Sequence, residues 1–337
     1  MTILENQSLK PYNTFHIDES ATYFGTIHTE QELLELFNHP IVQTEPLSFI
    51  GGGSNILLTK KKEGLVVCNR IKGISIVEEN DEELIVQFMS GESWHDCVIW
   101  AVDRGYGGIE NLSLIPGTIG AAPIQNIGAY GVEIKDVFVS CEAIDLATQT
   151  KKTFCLDECQ FGYRDSIFKL QKKDAYFILS VRLKFSKHPK CSIEYGDIQK
   201  IIEQDYNHEV TIKNVSNAVI QIRSSKLPDP AVIGNAGSFF KNPVVEHSIY
   251  EHLSISYPSM PHFESSNGVK IPAAWLIEQC GWKGYRNGDF GVHERQALVL
   301  VNYAEASGQE LLGLSTDIIT SVQQRFNILL EREVNIW

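Results

Sequence analysis

The chain has 337 residues, of which 43% are hydrophobic and 21% charged, and its formal net charge is −13. That length exceeds one ordinary hydrophobic core and predicts two domains. The acidic balance excludes a nucleic-acid partner held by bulk attraction, because phosphate backbones are gripped by clustered Lys and Arg, whereas a small phosphorylated ligand needs only local donors.

No apolar run approaches the length of a membrane span, and MTILENQSLK has no apolar signal core, so no membrane insertion and a cytoplasmic location are expected. The seven cysteines are scattered. Cys155 and Cys159 are the closest pair, with no second pair to complete a zinc site, so reduced, mostly buried thiols and no metal are expected.

In chain order, LSFI (47–50) reads as a short strand running into GGGSN, and GLVVC, GISIVEE and ELIVQF read as further strands. A helix is expected over 92–104, where Trp94, Cys97, Val98 and Val102 recur at roughly helical spacing. After a long small-residue run, strand character returns in FVSCEAIDL and YFILSVRLKFS. In the latter, Leu179, Val181, Leu183 and Phe185 alternate with Ser180, Arg182, Lys184 and Ser186, the period of a half-buried strand. The charged KHPKCS segment near His188 is the best boundary, giving domains 1–188 and 189–337. Beyond it, helices are expected over 215–225, 272–280 and 308–326, with QALVLVN and the terminal LLEREVNIW as strands. Strands first and helices later make an α+β fold rather than a doubly wound one.

Six segments carry chemistry. In GGGSN, Gly51, Gly52 and Gly53 let backbone N–H groups crowd around an anion, and Ser54 and Asn55 add polar side chains; the plainer alternative is a tight turn. Neither a Rossmann fingerprint nor a Walker loop is present. IPGTIGAAPIQNIGAYG (115–131) is too long and too apolar for an ordinary loop. Packed beside GGGSN, its low side-chain bulk would admit a large planar or phosphorylated cofactor. Arg164, among aromatics in FGYRDSIFK, needs an anionic partner, either Asp165 or a substrate carboxylate. Arg223 and Lys226 in RSSKLPDP suit a helix C-terminus or a phosphate equally. In a terminal strand Glu331, Glu333 and Asn335 would share one face.

The sixth segment, GNAGSFFKNP, contains Ser238. It lacks the GxSxG nucleophile elbow, no His–Asp pair is evidently placed to activate the hydroxyl, and Pro243 soon interrupts any helix the serine could cap.

Taken in order, NTF, GGGSN, IENLSLIPGTIGAAPIQNIGAYG, FGYRDSIF, KLPDP, GNAGSFFKNP, AAWLIEQCGWKG, HERQALVLVN and LEREV resemble the UDP-N-acetylenolpyruvoylglucosamine reductases over nearly the whole chain. The resemblance implies an FAD-binding domain of the vanillyl-alcohol-oxidase (PCMH) type followed by a C-terminal α+β substrate-binding domain. It implies non-covalent FAD, NADPH as co-substrate, and reduction of UDP-N-acetylglucosamine-enolpyruvate to UDP-N-acetylmuramate for peptidoglycan. IEYGDIQK resembles the tyrosine loop of the family's longer form, in which Tyr195 would reach over the substrate diphosphate.

Carried over by motif, Arg164, Ser238 and Glu333 are the catalytic group, and Lys226, Asn242 and Gln296 are substrate contacts. The cofactor would be held by Gly51, Gly52, Gly53, Ser54 and Asn55, and by Ile115, Pro116, Gly117, Gly120, Ala121, Gln125, Asn126, Gly128, Ala129 and Tyr130. In these roles Arg164 neutralises the substrate carboxylate as charge grows on it. Protonated Glu333 adds a hydrogen bond, and Ser238 donates the quenching proton. A serine is a poor acid, but a carbanion is basic enough to take its proton. Asn335 stands where the family often has a basic residue, a departure past Glu333. A monomer is expected. Two other readings are an FAD-dependent alcohol or sugar oxidase on the same flavin fold, and a nucleotide-sugar-binding protein without turnover.

Overall fold

The computed structural model describes residues 1–265 and 267–337. Packing divides them into two compact units. The first comprises Met1–Gln7, Thr22–Gly52 and Glu63–Ser225, and the second Ser8–Ala21, Gly53–Lys62 and Lys226–Trp337.

The first unit is built on a five-stranded antiparallel sheet. Its order is Lys151–Cys155, Phe138–Asp145, Tyr176–Ser186, Glu83–Met89 and Ile74–Glu79. In the central strand Leu179, Val181, Leu183 and Phe185 are buried, while Arg182 and Lys184 face solvent, as the alternation predicts. Ser180 departs from it and is buried, because it lies mid-sheet between Glu142 and Met89. The helix expected over 92–104 spans Trp94–Val102 and starts at Ser93, whose side chain accepts from the Asp96 N–H. It buries Trp94, Cys97, Val98, Ala101 and Val102 in the core that also contains Phe88 and Phe185. A four-stranded sheet has the order Ile3–Ser8, Ser20–Ile27, Lys62–Asn69, Leu47–Ile50, with the last two parallel.

The boundary expected at His188 differs from the division by packing, which falls at Ser225–Lys226. The physical reason is an apolar cluster. Helices Ile198–Asp205 and Ile212–Lys226 bury Ile198, Ile202, Val215, Ala218, Val219 and Ile222 together, with Tyr130 of the small-residue run packed against them.

The second unit has a sheet ordered Gly234–Ser238, Val299–Asn302, Phe290–Val292, Arg286–Asn287. Helix Gly308–Phe326 begins at a reciprocal capping box of Ser307 and Glu310 and stops at Asn327 in the left-handed conformation. The expected terminal strand shrinks to Asn335–Ile336, paired parallel to Ile56–Leu57. Upstream, Arg332 makes a single bridge to Phe240 and donates to the Ser315 and Thr316 hydroxyls. Glu331 and Glu333 therefore do not lie on one regular strand face as the sequence suggests. No helix among the described residues is long and apolar enough to cross a membrane.

Candidate active site

In the first unit, residues 112–120 are pinned along residues 90–95. Gly120 N donates to Ser90 O at 2.9 Å and Ile119 N to Glu92 O at 2.9 Å. Trp94 N donates to Gly117 O at 3.0 Å, and its indole Nε1 to Leu112 O at 3.0 Å. Gly51 and Gly52 back onto this segment. A Cβ on Gly51 would lie 2.4 Å from Thr118 Oγ1, and one on Gly52 would lie 3.1 Å from the Gly117 Cα. Arg70 Nη1 holds the Gly51 carbonyl at 3.0 Å. Gly51 is thus backed by the Thr118 side chain, while at Gly52 and Gly117 two backbones approach with no side chain between them, a local geometry that suits amides exposed to an anion. Gly52→Ala is expected to cost about 1–2 kcal/mol, because backbone opposes the new methyl; thermal denaturation measures it.

The rest of the run, residues 125–131, is shaped from within. Asn126 is fully buried, donates from Nδ2 to Glu133 Oε2 and Gly162 O, and accepts from Lys135 N. Its side chain is thereby committed to the fold, and its backbone N–H donates to Pro123 O at 3.4 Å. Arg164, at φ 55°, donates from Nη2 to Gly128 O at 2.6 Å. A Cβ on Gly128 would come within 3.1 Å of its Nη1, so that glycine makes room for the guanidinium. The Asp165 carboxylate accepts from Ser166 N. Tyr195 is 47% exposed and meets Tyr130 edge-on, with ring centroids 6.4 Å apart.

Arg223 is the residue that the sequence reading left undecided. Its Nε is buried and has no hydrogen-bond partner among the described residues. Burial pushes its pKa below the ordinary arginine range, Tyr130 opposes this, and the charge of Arg164 adds to it. A buried cation that feels a second cation calls for an anion. Asn111 has the same unfinished character: its Nδ2 donates to Tyr130 O and Ser192 O, while its Oδ1 is buried without a partner among the described residues. Arg223→Met is expected to stabilise the ligand-free protein by about 1–3 kcal/mol, since no unmatched buried donor remains. A lower melting temperature than wild type would contradict this.

In the second unit, Gly53 at φ 62° lies so close to Tyr12 that a Cβ would fall 1.9 Å from its carbonyl oxygen. Asn55 Nδ2 donates to Glu333 O at 3.3 Å. Ser238 ends the strand Gly234–Ser238 and faces solvent, while Phe239 and Phe240 beside it are buried at 0% and 1% exposure. The frame is backbone: Phe239 N donates to Leu298 O at 2.8 Å, and Glu333 N to Phe239 O at 2.8 Å. Ser238 and Glu333 are thus one hydrogen-bonded step apart along adjacent segments. Glu331 instead pairs with Lys241 at 2.6 Å.

The remaining residues named from sequence are spread through the second unit. Lys226 ends its helix exposed. Asn242 Oδ1 accepts from Ala273 N at the start of helix Ala273–Gln279, at 2.9 Å. Gln296 is half-buried in the turn before Val299–Asn302. Arg70, His95 and Asn111 were missed, because nothing in their local sequence distinguishes them from ordinary polar residues.

The first unit fits an FAD-like group on its own terms. It offers a glycine cradle that a Cβ would fill and buried donor and acceptor atoms left unmatched. Comparisons with known proteins agree at the level of family. Residues 22–152 match the model of an FAD binding domain, and residues 229–337 match the C-terminal domain of UDP-N-acetylenolpyruvoylglucosamine reductase. The reductase of that name from Flavobacterium johnsoniae is 50% identical over 338 residues, covering 100% of both chains. The one from Pseudomonas syringae pv. syringae is 48% identical, covering 98% of this chain and 97% of its own. Among solved structures, the UDP-N-acetylenolpyruvylglucosamine reductase of Thermus caldophilus superposes with a TM-score of 0.65 at 23% identity, covering 100% of this chain and 98% of its own. The 6-hydroxy-D-nicotine oxidase of Arthrobacter nicotinovorans shares the fold at a TM-score of 0.50 and 10% identity, covering 97% and 86%. The full-length identity, with both domains matched in order, makes this chain a member of the UDP-N-acetylenolpyruvoylglucosamine reductase family.

Proposed function

We propose that this UDP-N-acetylmuramate dehydrogenase of peptidoglycan synthesis works with non-covalent FAD and NADPH, and that Ser238, Arg164 and Glu333 carry the protein's part of the chemistry. Family membership supplies the overall reaction. NADPH and a proton convert the enolpyruvyl ether of UDP-N-acetylglucosamine-enolpyruvate to the lactyl ether of UDP-N-acetylmuramate. Bound FAD supplies hydride transfer from NADPH to the terminal methylene carbon. Residues 51–55 and 115–131, with the unmatched groups of Arg223 and Asn111, are the protein's means of holding it.

The observation that carries the assignment is the setting of Ser238. Its hydroxyl faces solvent from a backbone clamped on both sides, between the buried Phe239 and the buried strand Val299–Asn302. That supports a role for Ser238 in delivering a proton to the carbon beside the carboxylate. Arg164 donates one N–H to Gly128 O, which orients the guanidinium, and its planar fork suits a carboxylate such as the substrate's. Glu333, held against Phe239, adds a hydrogen bond to the same oxygens in its protonated form. Lys226, Asn242 and Gln296 hold the nucleotide sugar. Tyr195, beside the Tyr130 ring, covers its diphosphate as in the family's longer form. The protein acts as a cytoplasmic monomer.

Anaerobic mixing with NADPH, followed by UDP-N-acetylglucosamine-enolpyruvate, tests the reading. Flavin absorbance is expected to bleach with the first and return with the second. A flavin that survives denaturation on the chain, or that recovers only with oxygen, supports an oxidase instead. A colourless protein that binds UDP-sugars supports a binding role.

A further inference from the structure

We infer that His95 is a positioning residue for the flavin segment: its neutral imidazole, protonated on Nε2, holds Leu114 in a left-handed conformation and so aims residues 115–117. This rests on the proposed reading of residues 115–131 as cofactor-binding.

Leu114 has φ 58°, a region a leucine enters only against a steric cost. It immediately precedes Ile115, Pro116 and Gly117. Its N–H donates to His95 Nδ1 at 2.9 Å. An imidazole nitrogen accepts a hydrogen bond only when it carries no proton, so this bond requires neutral His95 with its proton on Nε2. The same strip supplies contacts on either side of the turn, where Trp94 holds Leu112 O and Gly117 O, and the adjacent Ser113 hydroxyl meets that of Ser216. His95 thus holds the strained position from which the chain turns into the Pro116–Gly117 step.

The charged groups acting on His95 are Asp96 on its own helix and Arg223 on the Ile212–Lys226 helix. Burial lowers the imidazole's pKa, Asp96 opposes this, and Arg223 adds to it. The bond is therefore whole above the lowered pKa. It is lost as pH falls through that value, on the acid side of the ordinary value near 6.5. There Nδ1 becomes a donor facing the Leu114 N–H, and the ring becomes a cation facing Arg223.

FAD dissociation from the holoenzyme, followed by flavin fluorescence between about pH 5 and 8, tests this. FAD itself carries no group that titrates across that window. In wild type, affinity is expected to fall about tenfold toward the acid end, the scale of one buried donor left unmatched. His95→Asn places an amide oxygen near the position of Nδ1 and cannot titrate. It should stay within about threefold of wild type at pH 8 and show a flat profile. His95→Leu should be about tenfold weaker at every pH. Wild-type affinity that is flat with pH, or a His95→Asn variant that keeps the wild-type slope, overturns the role. Failure of wild type to bind FAD at any pH overturns the flavin reading of the segment and this role with it.

Discussion

In Ser238→Ala, NADPH should still bleach the flavin at the wild-type rate, while turnover with the enolpyruvyl substrate falls by about three orders of magnitude. General-acid catalysis by a positioned group contributes roughly 10²–10⁴-fold, and the expected loss lies within that range. The fold should not suffer. Ser238 is exposed, and its strand is held by the burial of Phe239 and Phe240 and by backbone bonds to Leu298 and Glu333. Rapid mixing separates the two half-reactions. If the alanine variant reoxidises with substrate as fast as wild type, the proton comes from elsewhere. Ser238→Cys offers a graded case, since it keeps a donor of similar size, and partial recovery is expected.

Arg164→Met should lower kcat/KM for the enolpyruvyl substrate by about 10²–10³, the scale seen when one fixed stabiliser of developing charge is removed. NADPH oxidation should change little. The substitution adds no backbone strain, because methionine meets the same left-handed conformation that Arg164 already adopts. It does remove the bond to Gly128 O, worth about 1 kcal/mol of stability, and the cation's contact with the Tyr163 ring. Lysine at this position restores charge without the planar fork, so it should recover only part of the loss. Turnover within about twofold of wild type in the methionine variant would remove Arg164 from the reaction.

These two substitutions probe different links of the same argument. The serine depends on a rigid strand end that directs a hydroxyl. The arginine depends on a glycine that lets a guanidinium approach a carbonyl. Arg223 bears on the second of them: its buried Nε has no hydrogen-bond partner among the described residues, and the charge of Arg164 acts on it. A protein that tolerates such a group carries stability in reserve for its ligand, and that is why Arg223→Met is expected to stabilise the empty fold.

The sequence by itself determined whatever depends on local periodicity and on the ordered set of motifs. The strand Tyr176–Ser186 and the helix Gly308–Phe326 match their expected bounds, because alternation, a capping box and a left-handed Asn stop are written in neighbouring residues. Family and reaction were legible for a different reason: nine weak motifs in order are jointly specific. Tertiary structure alone decided what depends on contacts between distant segments. The compact units divide at Ser225–Lys226 rather than near His188, because the Ile198 and Ile212 helices bury their apolar faces with Tyr130. The C-terminal strand is cut to two residues, because residues 335–336 pair with Ile56–Leu57 while Arg332 bridges a different segment at Phe240. Arg223 and Lys226 look alike in RSSKLPDP, yet one has a buried nitrogen and the other ends its helix exposed. Three residues apart they share a helix side, and position along it separates them: Lys226 is the last helical residue, whereas Arg223 lies a turn inside, and where the helix ends is set by residues the motif does not contain.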